Sequence, residues 1–181
     1  GSTTKAEIFN GLNEEGIAVL NHDDAFFEYW CQRTESVETM SFGMGLKSTI
    51  YATQISDNIF PSFLLHTPIG DVQVQLNMMG KHNIKNALAA AAAAYALATP
   101  LEFIVKGLET VEAITGRLRE ITCDNGAVVL DDAYNSNPGS LQAGIDVLVQ
   151  YPGKKILVMG DMKELGPDAI ALHAGLAHLE A

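Results

Sequence analysis

Four short runs in this chain gather residues that could do chemistry. In Val128-Val129-Leu130-Asp131-Asp132-Ala133-Tyr134-Asn135-Ser136-Asn137-Pro138 a hydrophobic strand delivers two aspartates, an aromatic ring and two asparagines into a loop just ahead of a helix. Ligands of open α/β sheets bind at the carboxyl ends of strands, and an aspartate there can hold ribose hydroxyls or organise a metal. A turn with Ser136 or Asn137 as helix cap is the plainer account of the same residues. In the second run, Gly80-Lys81-His82-Asn83-Ile84-Lys85-Asn86, a glycine turn opens a helix with Asn83 and Asn86 three residues apart. They therefore share a face, where a carboxamide can donate and accept together, as the edge of an adenine requires. Asn83 could equally serve only as a helix cap. Thr115-Gly116-Arg117-Leu118 puts a guanidinium after a glycine turn, and Gly160-Asp161-Met162-Lys163-Glu164-Leu165-Gly166 puts charges at the end of another apolar run. Gly43-Met44-Gly45-Leu46-Lys47-Ser48-Thr49 resembles a phosphate loop only at a glance. Leu46 stands where glycine must precede the lysine, so it reads as a surface loop leading into an antiparallel strand. No other segment supplies such a loop.

These runs need elements to hold them. Lys5 to Leu12 reads as the last turns of a helix, and Ile17 to Leu20 as a buried strand of a parallel sheet. Asp23 or Asp24 is placed to cap a helix carrying Phe26, Phe27, Trp30 and Cys31 on one side. From Val37 to Met78 β-branched and aromatic residues alternate around Thr67-Pro68-Ile69-Gly70-Asp71, the pattern of an antiparallel hairpin. Helices are expected over Asn83 to Ala98 and Pro100 to Val111, the proline at a first helical position. Beyond residue 115 the pattern gives a hairpin around Asp124-Asn125-Gly126, a helix over Pro138 to Tyr151, a buried strand over Lys155 to Met159 and a helix over Pro167 to Glu180. That order is of the α/β class with a parallel sheet, and a domain boundary falls near Ala113 to Thr115. Both ends break off in mid-pattern, as in a piece of a longer chain.

Of the 181 residues 48% are apolar, enough to build a core, and the net charge of −11 disfavours nucleic acid or an anionic membrane as partner. A nucleotide stays compatible, because a few cations and backbone N–H groups suffice for phosphate. Cys31 and Cys123 form no metal-binding spacing and fit a reducing compartment. No signal peptide is visible, and the alanine-rich run Ala87 to Ala98 is too short to span a bilayer, so the reading is cytoplasmic without membrane insertion.

Taken together the runs resemble the Mur ligases, in the type that adds D-alanyl-D-alanine. The segments that carry the resemblance are Lys5 to Phe9, Asn21-His22-Asp23-Asp24, Gly80 to Ala90, Gly116-Arg117-Leu118, Leu130 to Pro138 and Gly160 to Gly166. It implies that residues 1–114 are the later half of a central ATP-binding domain, a parallel sheet with antiparallel hairpins and helices. Residues 115–181 are then the first half of a Rossmann-like C-terminal domain. The implied reaction activates the carboxylate of UDP-N-acetylmuramoyl-tripeptide as an acyl phosphate with ATP and Mg²⁺, and D-alanyl-D-alanine then attacks. By the same resemblance Lys5 matches the lysine carried as a carbamate that positions Mg²⁺. Asn83 and Asn86 match residues near the adenine, and Arg117 and Asp132 match nucleotide contacts. Tyr134 and Asn135 fall beside the phosphates, and Asp161, Lys163 and Glu164 on the amino-substrate side. Thr3-Thr4 stands where the family has alanine-rich helix. The complete enzyme is expected to be monomeric, and the chain by itself inactive and prone to self-association through open strand edges. The competing readings are another Mur or folylpolyglutamate-type ligase and a non-catalytic nucleotide-binding module.

Overall fold

The computed structural model describes residues 6–162. After a short 3₁₀ helix, Glu7–Gly11, the strands β1 (Ile17–Asn21), β2 (Glu38–Gly43), β3 (Ile50–Thr53), β4 (Ser62–Thr67) and β5 (Gly70–Gln75) form one sheet in chain order. β1 and β2 pair in parallel, as the apolar run Ile17 to Leu20 leads one to expect, with helix α1 (Phe27–Arg33) as their crossover. The expected aspartate cap of α1 takes another form. Asp24 Oδ1 accepts the Phe26 N–H (2.8 Å) in a turn ahead of the helix, and Asp23 Oδ2 accepts the Met44 N–H (2.8 Å) from the loop after β2. Both carboxylates are thus spent on shaping loops, and the residue at the cap position, Phe26, makes no side-chain cap.

The strand after the glycine-rich loop 44–49 is antiparallel to β4 but parallel to β2. A parallel neighbour ordinarily needs a long crossover. Here β3 meets β2 only at Phe42↔Ile50 and Gly43↔Tyr51, so it begins where β2 ends and a short loop suffices. β4 and β5 form the expected hairpin through Pro68-Ile69, and Thr67 Oγ1 donates to the Gly70 carbonyl (2.7 Å) across the turn. On the sheet's outer side a polar row crosses three strands. Tyr51 stacks on His66, whose Nε2 meets Thr53 Oγ1 (2.7 Å) and whose Nδ1 meets Asp71 (3.0 Å).

Alternate residues of the strands face inward (Ile50 and Ala52, Phe63 and Leu65, Val74) and meet helix α2 (His82–Ala96). Its buried positions Ile84, Ala87, Leu88, Ala91 and Ala92 recur at the spacing of a single helical face. The alanines favour helix and let it lie close against the sheet. Helix α3 (Leu101–Thr110), with Pro100 at its N-cap, inserts Ile104 and Leu108 into the same core beside β5.

Beyond residue 115, β6 (Arg119–Thr122) and β7 (Val128–Asp131) form the expected hairpin, and helix α4 (Pro138–Leu148) follows. Lys155 to Met159 is not a buried strand. It runs as unpaired coil with Val158 88% exposed. An apolar run becomes a strand only where a neighbour takes its backbone groups, and among the described residues none lies alongside it. Among those residues the second unit therefore holds an antiparallel pair, not the expected parallel sheet. The helix expected over Pro167 to Glu180 lies outside the described residues.

Candidate functional site

The start of α2 meets the later half of α4 and the turn at Leu118 where the units touch. Gly80 has φ +87°, and a β-carbon there would stand 2.7 Å from the His82 ring and 3.0 Å from Val147 of α4. Only glycine lets the chain turn into α2 so close to α4. Lys81, at the N-cap of α2, ion-pairs with Asp57, so its ammonium is engaged. Met79, Leu118 and Val147 form a small core at this joint, with Ile59, Leu130 and Tyr151 packed around it. Tyr151 Oη donates its proton to Glu120 Oε2 (2.5 Å) and lies 3.2 Å from Met79 Sδ, tying the segment after α4 to both units.

Asn83 does not cap its helix through its own N–H neighbours. Its Nδ2 reaches back to the Met79 carbonyl (2.8 Å), and its Oδ1 accepts from Asn86 Nδ2 (2.9 Å). Because a carbonyl can only accept, this chain of bonds orients both amides. Asn86 is exposed and keeps its Oδ1 and a second Nδ2 hydrogen for a ligand. That adjacent acceptor and donor match the N6 and N7 edge of an adenine.

The chain around Arg117 is held on every side. The Gly116 N–H donates to Asp131 Oδ2 (3.0 Å), the Arg117 N–H to the Ile114 carbonyl (3.1 Å) and the Leu118 N–H to Asp132 Oδ1 (3.2 Å). The Tyr134 N–H returns to the Gly116 carbonyl (3.1 Å), and the Arg117 guanidinium lies 4.5 Å over the exposed Tyr134 ring. Gly116, at φ +79°, leaves no room for a β-carbon beside the Tyr134 backbone. The following helix starts with a capping box in which Asn137 Oδ1 accepts the Ser140 N–H (3.0 Å) and Ser140 Oγ accepts the Asn137 N–H (2.9 Å). The capping account thus holds for Asn137 and leaves Asp131, Asp132 and Tyr134 to other work.

Asp132 is partly buried against α4 at Gly144, and burial pushes its carboxyl above the ordinary carboxylate range. The Leu118 N–H, His82 and Arg117 work in the opposite direction, and Asp131 adds to the rise. Burial holds the His82 imidazole below its ordinary value, against the pull of Asp132 and Asp146. A cleft of ≈ 450 Å³ beside His82 runs between the start of α2 and α4, with Asp57, Asp146 and Gln150 on its walls.

The structure thus joins Asn83 to Asn86, Arg117 to Tyr134, and Asp132 to the Arg117 turn. Asn135 and Asp161 are exposed. Lys5, Lys163 and Glu164 lie outside the described residues. Sequence reasoning passed over His82 and Asp131. Both were visible inside the quoted runs, but their contacts are with residues distant in the chain.

Residues 2–94 match the Mur ligase middle domain, and residues 116–180 match the Mur ligase, glutamate ligase domain. The chain belongs to the Mur ligase family. Among curated Mur ligases it is similar to the UDP-N-acetylmuramoyl-tripeptide–D-alanyl-D-alanine ligase of Escherichia coli strain K12, 40% identical over 171 residues. That alignment covers 93% of this chain and 38% of the relative. The enzyme of the same name from Buchnera aphidicola subsp. Baizongia pistaciae is 36% identical, over 93% of this chain and 37% of the relative. A crystal structure of MurF from Acinetobacter baumannii superposes with a TM-score of 0.90 at 38% identity, over 97% of this chain and 38% of that one. The α/β fold, a mixed sheet with helices, is shared with that structure. The chain spans a little over a third of the length of these Mur ligases.

Proposed function

We propose that this chain belongs to an ATP-dependent amide ligase of peptidoglycan precursor synthesis, which joins D-alanyl-D-alanine to UDP-N-acetylmuramoyl-tripeptide in the cytoplasm. The observation that carries this reading is the alignment with enzymes of that name, which extends over 93% of the chain. In the proposed reaction a carboxylate oxygen of the tripeptide attacks the γ-phosphorus of ATP, giving an acyl phosphate and ADP. The amine of D-alanyl-D-alanine then attacks the acyl carbon, and the tetrahedral intermediate expels phosphate as the amine loses its proton. In this reading residues 1–114 belong to the central domain and residues 115–181 to the C-terminal one.

The described residues suit the nucleoside end of ATP. Asn86 offers an acceptor and a donor side by side, held in place by Asn83. Asp132 would take a ribose hydroxyl, and Arg117, supported by Tyr134, would meet phosphate charge, with Asn135 beside it. Among the described residues no three His, Cys, Asp or Glu side chains gather to hold a metal. By its resemblance to the carbamate-bearing lysine of the family, Lys5 is proposed as the residue that would position Mg²⁺. Asp161, Lys163 and Glu164 are proposed for the side that receives D-alanyl-D-alanine.

The test is kinetic. In the complete enzyme Asn86→Ala and Asp132→Ala should raise the KM for ATP and leave that for D-alanyl-D-alanine nearly unchanged. Each lost hydrogen bond should cost about 0.5–1.5 kcal/mol in kcat/KM. Wild-type ATP kinetics in both variants would remove the nucleotide assignment. Phosphate release independent of D-alanyl-D-alanine would remove the ligase.

A further inference from the structure

Asp131, half-buried at the end of β7, bonds to both of the chain segments that frame Arg117. Its Oδ2 accepts the Gly116 N–H (3.0 Å) and its Oδ1 accepts the Ala133 N–H (3.3 Å). The first bond fixes the residue just before Arg117. The second bends the chain so that the Tyr134 N–H can return to the Gly116 carbonyl (3.1 Å) and its ring can pass beneath the guanidinium. Asp132 touches only one side of this arrangement, through Leu118. Leu118 is buried with φ +49°, a backbone setting that a branched side chain keeps only when its surroundings impose it.

We propose that Asp131 is a positioning residue of the ligase: it aims Arg117 at the nucleotide by clamping Gly116 and Ala133 with one carboxylate. This deepens the function proposed above and rests on it. Adjacent aspartates then divide the labour, Asp132 facing the ligand and Asp131 facing the backbone. A carboxylate suits the task because each oxygen meets a backbone donor. Asparagine in its place would turn an NH₂ toward one of those two N–H groups, donor against donor.

The experiment compares the complete enzyme with Asp131→Asn, Arg117→Ala and the double variant, by steady-state kinetics and by amide hydrogen exchange resolved at residues 116–118. Asp131→Asn should raise the KM for ATP roughly tenfold, the scale of one charge-assisted hydrogen bond, and speed exchange at Gly116. Combined with Arg117→Ala it should add less than about twofold, because the two act through one group. A double variant whose loss is the product of the single losses would overturn the proposal, since Asp131 would then act independently of Arg117. Unchanged exchange at Gly116 would overturn it as well. Asp131→Ser keeps one acceptor and should fall between wild type and Asp131→Asn in both readouts; it serves if the asparagine variant folds poorly. A wild-type enzyme that turned over no ATP would sink the proposed function, while the exchange measurement would still decide the clamp.

Discussion

Gly80→Ala tests the close approach on which the whole joint depends. The new methyl would stand 2.7 Å from the His82 ring and 3.0 Å from Val147 Cγ2, on a residue with φ +87°. Holding an alanine in left-handed backbone costs roughly 1–2 kcal/mol. Forcing an extra carbon against Val147, which is 1% exposed, adds the cost of overpacking, about 1–3 kcal/mol. The sum, about 2–5 kcal/mol, is a large share of the ~5–15 kcal/mol that stabilises a typical domain. Gly107→Ala is the control. Gly107 lies within helix α3 with nothing within 4 Å of its added carbon, so alanine should stabilise by about 0.5–1 kcal/mol. Urea unfolding followed by circular dichroism measures both. Opposite signs support the geometry. A Gly80→Ala midpoint within about 0.5 kcal/mol of the parent would refute it, because no real packing could absorb that contact without loss.

Three further outcomes are expected. Burial holds His82 below its ordinary value of 6.5, so the unfolded chain takes up that proton first as the pH falls. Stability should therefore decline as pH drops below about 6.5, and His82→Gln should flatten this part of the curve, read from urea midpoints at about pH 7.5 and about pH 5.5. The raised carboxyl of Asp132 works the other way, acidification down to 3.8 favouring the folded state, and His82→Gln, which removes a group that pulls that carboxyl down, should enlarge this opposing limb. In the complete enzyme Lys5→Ala should nearly abolish turnover without rescue by bicarbonate; a normal kcat would make Lys5 an ordinary helix residue. The 181-residue chain alone should show no tight Mg-ATP binding in calorimetry, since none of its segments supplies a phosphate loop. Phosphate release by it that required D-alanyl-D-alanine would refute this.

Local chemistry made some of the architecture readable. Pro68-Ile69-Gly70 sits between alternating residues and Asp124-Asn125-Gly126 between two short strand-forming runs, and both are hairpins because turn and strands are set by the same few neighbours. The face of α2 is equally local, repeating from Ile84 to Ala92. What stayed hidden depends on partners far along the chain. Asp23 looks like a helix cap until Met44 is seen to claim its carboxylate, 21 residues away. Ile156 to Met159 has a strand's composition, but composition does not provide a neighbouring strand. At the site the types of Asn86, Arg117 and Asp132 could be read as ligand-binding. The clamp by Asp131 could not, because it is made of contacts with the Gly116 and Ala133 amides across a turn that only the folded chain closes.

The small core of Met79, Leu118 and Val147 also gives the molecule a mechanical weak point. The five-stranded sheet resists pulling by loading many ladder bonds at once, and its strands are clamped under α2 and α3. The joint resists with three buried side chains, their flanking residues and the Tyr151 hydroxyl. Stretched between handles at Asn21 and Ser140, the molecule should yield there first, in a short low-force step that leaves the sheet intact. The joint would behave as a compliant coupling between two stiffer bodies.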